Sequence, residues 1–185
     1  MGERVERMQE KRRVGITFGC FIPLHKGHLS IIEQAETENN SVILGVTGYD
    51  MDRGRDFIPF LRRVRLMRSI YSSHPKITIS EVDDRAIGLT GTFSLSAWKR
   101  WCEELFYNAG YLPDDPRNEY HWYIGEQLYI EKIKTLYPEH HFHLMDRSII
   151  PVSGTAIREN PEKYAGDIHP VFMDYLKQNG QIKKG

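Results

Sequence analysis

Short apolar runs alternate with longer stretches in which apolar residues recur every three or four positions. Val14–Phe18 and Ser41–Thr47 are compact apolar runs followed by glycine-containing turns, the pattern of buried parallel strands. Lys76–Val82 (KITISEV) alternates with period two and is rich in β-branched residues. His121–Ile124 and Phe142–Met145 read as two further short strands. Between them, helical spacing runs through 28–37 after Gly27, and through 60–72, where Leu61, Val64, Met67 and Tyr71 form one face with arginines on the others. It continues through 93–108 with Leu95, Trp98, Cys102, Leu105 and Phe106, through 127–137 up to Pro138, and through 171–178 up to Gly180. Strands alternating with helices predict an α/β fold. The expected form is a Rossmann-like, doubly wound parallel sheet of about five strands with right-handed crossovers. Ligands of such sheets bind beyond the carboxyl ends of the strands.

Length and composition narrow this picture. The 185 residues suit one domain, predicted over 14–185 after a flexible N-terminal segment over 1–13. Apolar residues at 40% suffice for a packed core. Lys plus Arg equals Asp plus Glu at 25 each, which is not the footprint of a general nucleic-acid binder. The first residues lack the apolar stretch of a signal peptide, and no apolar run approaches the ~20 residues of a membrane span. Cys20 and Cys102 are too few for a disulfide framework, and the expected location is cytoplasmic. Homo-oligomerisation is left open.

Candidate chemistry follows the first strand. In Gly19-Cys-Phe-Ile-Pro-Leu-His-Lys-Gly-His28, Gly19 allows backbone to approach a ligand and Gly27 permits the turn into the helix. The amides at that helix start form an anion site, and His25 and His28 bracket it as donors to phosphate oxygens. Two histidines are too few for a Zn²⁺ site, and no protein metal ligand is assigned. A second segment, Ile150-Pro-Val-Ser-Gly-Thr-Ala-Ile-Arg-Glu-Asn-Pro161, offers Ser153 as N-cap of a short helix stopped by Pro161. Arg158 supplies a forked cation for phosphate, or else is the solvated arginine of an ordinary capped helix.

Thr17 to His28 resembles the signature of the HxGH nucleotidyltransferases, which transfer AMP or CMP to a phosphorylated acceptor on a Rossmann-like fold. Ser153, Thr155 and Arg158 match the family's second signature, I-S-x-T-x-x-R, with Val152 in place of Ile, about 125 residues downstream. The resemblance implies that His25, His28 and Arg158 are catalytic contacts to the triphosphate. It also implies that Phe18, Gly19, Gly27, Gly125, Glu126, Ser153 and Thr155 lie against the nucleotide. More narrowly, Ser153–Pro161 followed by Lys163-Tyr164 is similar to the nicotinamide mononucleotide (NMN) adenylyltransferase domain of NadR-type proteins. The Asp52-Arg53-Gly54 loop, Trp98-Lys-Arg-Trp101 and Tyr123-Ile-Gly-Glu126 agree with that domain. This implies ATP and NMN as substrates, with Mg²⁺ carried by the ATP. Arg53 is then a candidate for the acceptor phosphate or a solvated loop residue. Trp98 either stacks on the pyridine ring or packs in the core, and Glu126 either binds nucleotide or simply begins a helix. Asp83 and Asp84, at another strand end, are candidates to hold ribose or Mg²⁺ without a firm assignment.

The chain lacks G-x-x-x-x-G-K-[ST], so the ribosylnicotinamide kinase domain of the longer NadR-type proteins is absent from it. It is expected to be a single-function enzyme or the transferase part of a longer chain. The alternatives left open are another phosphorylated acceptor (nicotinate mononucleotide, pantetheine phosphate or FMN) and a nucleotide-sensing regulator without turnover.

Overall fold

The computed structural model describes residues 10–48, 57–84, 94–146, 148 and 150–183. Five strands form one parallel sheet: β1 (Arg12–Gly19), β2 (Ser41–Val46), β3 (Ile77–Glu81), β4 (Asn118–Ile124) and β5 (His141–Leu144). Their order is β3-β2-β1-β4-β5, so the strand order reverses between β1 and β4; such sheets bind ligands at that switch point, beyond the strands' carboxyl ends. The helices are α1 (Lys26–Glu38), α2 (Phe60–Ile70), α3 (Leu95–Asn108), α4 (Gln127–Leu136), α5 (Gly154–Glu159) and α6 (Pro170–Gln178).

The period-two alternation within strands sorts the core into two layers. Val42, Leu44, Val46 and Tyr123 point to one face, where they meet Ile32 and Ala35 of α1, Val64 and Met67 of α2, and Phe172 and Leu176 of α6. Val14, Ile16, Ile43 and Trp122 point to the other, against Trp98, Trp101, Leu105 and Phe106 of α3 and Ile130 and Ile133 of α4. The expected doubly wound parallel sheet of about five strands is therefore the one observed.

Element boundaries shift modestly. β1 starts at Arg12, two residues earlier than predicted, because Arg12 and Arg13 pair with Asn118 and Glu119 of β4. α1 begins at Lys26 rather than His28, with His25 as its N-cap residue. One assignment is overturned in α2: Leu61 is 53% exposed, whereas Phe60, Arg63, Val64 and Met67 form the buried face. That stripe carries an arginine because loop carbonyls converge on it, as described below. Leu95, placed on the apolar face of α3, is also exposed, at the helix start beside the Ser94 cap.

Candidate active site

The loop from β1 to α1 turns sharply. Phe21 adopts a positive φ of 50°, an uncommon conformation for a residue with a side chain. Phe21, Ile22 and Leu24 are buried, which anchors the loop. His25 then caps α1 through its backbone, its carbonyl accepting from the amides of His28 (2.9 Å) and Leu29 (3.0 Å). The His25 and His28 rings stack at 3.8 Å between centroids, and Phe21 packs edge-on against His28 at 5.0 Å. The two imidazoles thus form one unit over the first turn of a 13-residue helix, where amides and macrodipole favour anions.

The second motif folds directly onto the first. The Ser153 Oγ accepts from the Ala156 amide at 3.1 Å, as expected of an N-cap. The Arg158 guanidinium donates to the Ile22 carbonyl at 3.0 Å and to the Thr155 Oγ1 at 3.1 Å, joining segments 136 residues apart. Two glycines permit this contact. A Cβ on Gly154 would stand 3.0 Å from the Ile22 carbonyl oxygen, and one on Gly27 would stand 3.2 Å from the His25 ring and 3.5 Å from the Val152 carbonyl oxygen. The following segment docks beside the loop, with the His169 amide donating to the Leu24 carbonyl at 3.0 Å and Lys26 pairing with Asp167 at 3.2 Å.

Gly125 and Glu126 follow β4, on the other side of the switch point, and Glu126 occupies the N-cap position of α4. Gly125, Gln127, Leu144, Met145, Asp146 and Ser148 line an open depression at this end of the sheet. Phe18 is half-buried at the end of β1, its ring 4.7 Å from that of Trp101. Trp98 is 4% exposed and packs among Trp101 and Tyr129, so in this form its ring is part of the core. Arg53 and nearly all of its loop lie outside the described residues.

A buried clamp that sequence reasoning did not find organises the loops after β1 and β2. Arg63, 1% exposed, donates to the carbonyls of Cys20, Thr47 (2.8 Å), Gly48 (2.6 Å) and Ile58 (3.1 Å). Gly48 has a φ of 73°, and a Cβ there would meet the Cys20 Sγ at 2.7 Å. Asp84 accepts from the Gly48 amide at 2.5 Å and from the Trp101 Nε1 at 3.0 Å, linking α3 to the same turn. The Pro-led start of α2 after a strand and loop was the available signal, but an arginine on a helix ordinarily points to water.

Burial pushes the Asp84 carboxyl up to about 6, outweighing the two hydrogen bonds and the Arg63 charge that favour the anion. A carboxyl raised in the folded state adds stability below its unfolded value near 3.8, and that stability is lost as pH rises through about 6. The stability of wild type relative to Asp84→Asn is therefore expected to fall between pH 4 and 6, by on the order of 3 kcal/mol. Urea denaturation of both proteins across that range measures it. A difference that is flat or rises with pH would contradict the assignment.

The cytidylyltransferase-like family profile matches residues 16–160, well over half of the chain. No curated protein matches the sequence significantly. Among solved structures, NadR in complex with NR is 30% identical, with a TM-score of 0.73 over 88% of this chain and 44% of the NadR chain. NadR in complex with NAD and AMP-PNP is 30% identical, with a TM-score of 0.71 over 87% of this chain and 46% of the other. This chain thus spans less than half the length of those proteins. A bifunctional NMN adenylyltransferase/ADP ribose pyrophosphatase from Francisella tularensis, at 16% identity and a TM-score of 0.66, shares the fold. It covers 93% of this chain and 51% of that one. No helix among the described residues is long and apolar enough to cross a membrane. With both signatures folded together at the switch point of the sheet, the chain belongs to the cytidylyltransferase-like family of HxGH nucleotidyltransferases.

Proposed function

We propose that this protein joins AMP from ATP to NMN, giving NAD⁺ and pyrophosphate. The observation that carries the reading is the Arg158–Ile22 contact, which sets the forked cation of the second motif beside the histidine loop of the first. Support for the acceptor comes from the 30% identity to NadR structures solved with NR and with NAD and AMP-PNP. An NMN phosphate oxygen attacks the α-phosphorus in line with the departing pyrophosphate, so no protein nucleophile is required. His25 and His28 hold α- and β-phosphate oxygens, Arg158 holds the β- and γ-phosphates, and catalysis comes from positioning and charge stabilisation. Phe18, Gly19, Gly27, Gly125, Glu126, Ser153 and Thr155 remain the proposed nucleotide contacts, and Arg53 a proposed contact to the acceptor phosphate.

Mg²⁺ is proposed to arrive on the ATP and to neutralise phosphate charge. Asp84 already commits both carboxylate oxygens to Gly48 and Trp101, which fits a metal held mainly by the nucleotide. Steady-state NAD⁺ formation from ATP and NMN, run beside nicotinate mononucleotide, pantetheine phosphate and FMN, tests the reading. The highest kcat/KM is expected with NMN. Turnover of another acceptor with none for NMN would overturn it.

Arg158→Lys keeps the charge but loses the fork that spans Ile22 and Thr155, so the KM for ATP is expected to rise about tenfold, with a larger loss for Arg158→Ala. Equal kinetics for the three proteins would remove Arg158 from the site.

A further inference from the structure

We propose that Glu119, His121 and His141 form a binding site for a divalent transition metal of the zinc class, linking β4 to the edge strand β5. It is separate from the nucleotide end of the sheet: Glu119 is the second residue of β4 and His141 the first of β5, whereas both signatures follow strand carboxyl ends. The register makes the cluster. His121 pairs directly with His141 across the two strands, and Glu119, two residues before His121, projects from the same face.

The three ligand atoms already converge. The Glu119 Oε1 stands 2.8 Å from the His121 Nε2 and 3.2 Å from the His141 Nε2, and all three atoms lie within 4.8 Å of one another. Ligands at Zn–N and Zn–O distances of about 2.0–2.1 Å stand about 3.3 Å apart in a tetrahedron. Both Glu119 contacts lie within about 0.5 Å of that spacing, and the two imidazole nitrogens, within 4.8 Å of each other, reach it by rotation of the exposed His141 ring. Two imidazoles and one carboxylate are the donor set of an open zinc site, with water in the fourth position. Mg²⁺ and Ca²⁺ prefer oxygen ligands and are disfavoured here.

The surroundings fit as well. The His121 Nδ1 lies 3.2 Å from the His143 Nε2 and 3.5 Å from the Arg13 Nη2; with metal on Nε2 the proton on Nδ1 goes to His143, and the Arg13 side chain at that long contact turns away. His121 is buried, so packing holds its ring in place. His141 is exposed, giving the ion a route from solvent.

Titration of the untagged full chain with Zn²⁺ by calorimetry, and with Co²⁺ by visible absorption, tests the site. One saturable equivalent is expected, with the intense Co²⁺ bands of a four-coordinate site, undiminished by a 100-fold excess of Mg²⁺. At 100 times Kd, Zn²⁺ is expected to raise the thermal midpoint by about 5–10 °C. Binding is expected to be lost in His141→Ala and Glu119→Gln, weakened about 10–100-fold in His143→Ala, and kept in His28→Ala. His141 is exposed, so its variant is expected to fold, as circular dichroism would verify. Absence of a saturable equivalent, or binding that survives His141→Ala or disappears with His28→Ala, overturns the proposal and leaves a hydrogen-bonded histidine cluster.

Discussion

His28→Ala is expected to lower kcat for the proposed NAD⁺ formation by about 10²–10³-fold, the usual effect of removing one donor aimed at transition-state charge. The position explains the size. His28 sits in the first turn of α1, its ring stacked on His25 at 3.8 Å, so its loss removes one imidazole and frees the other to tilt. The amides of that turn remain, which is why the variant should keep some activity. Stability should change little by comparison, because an aromatic pair contributes about 0.5–1.5 kcal/mol beyond its burial and the Phe21 anchor persists. Turnover within threefold of wild type, in a protein that melts normally, would take His28 out of the mechanism.

Much of this arrangement is legible in the sequence. Strand–helix alternation identified the doubly wound sheet, and glycine, proline and N-cap positions located both signatures, because these features act over a few residues. Ser153 caps α5 as its sequence context predicts. What local pattern cannot supply is the partner of a side chain distant in sequence. Trp98 at helical spacing fitted stacking and packing equally, and the neighbours that place it in the core, Trp101 and Tyr129, include one from another helix. Asp84 looked like one of two strand-end carboxylates, yet its partners are Gly48 and Trp101. Glu-x-His and His-x-His at period two on β4 and β5 were visible as letters, but the register that brings them together is a property of the sheet.

Arg63 is the sharpest case, and it carries the largest expected effect on stability. The helical stripe of α2 could be drawn through Leu61 or through Phe60 and Arg63, and hydrophobicity alone favours the leucine. The fold chooses the arginine because the loops after β1 and β2 turn the carbonyls of Cys20, Thr47 and Gly48 inward around it. Buried carbonyls without donors are costly, and one planar guanidinium can serve several at once. Its charge is balanced in part by Asp84, which holds the same Gly48 turn from the other side. Arg63→Ala would strand those carbonyls and leave Asp84 without its neighbouring cation, so a loss of about 3–5 kcal/mol is expected. For a chain of this size that corresponds to a fall of roughly 6–20 °C in thermal midpoint. Arg63→Lys should fall between, since one ammonium cannot reach carbonyls spread around a fork. Leu61→Ala, on the exposed side of the same helix, should stay within about 0.5 kcal/mol. Thermal and urea denaturation of the three variants together separate the two stripes. Were Leu61→Ala the more damaging change, the buried face of α2 would be the one hydrophobicity suggests and the clamp would be a minor contact. With the clamp broken, the loop that begins at Cys20 and leads to His25 loses its tether to the turn after β2, so surviving activity should fall together with stability.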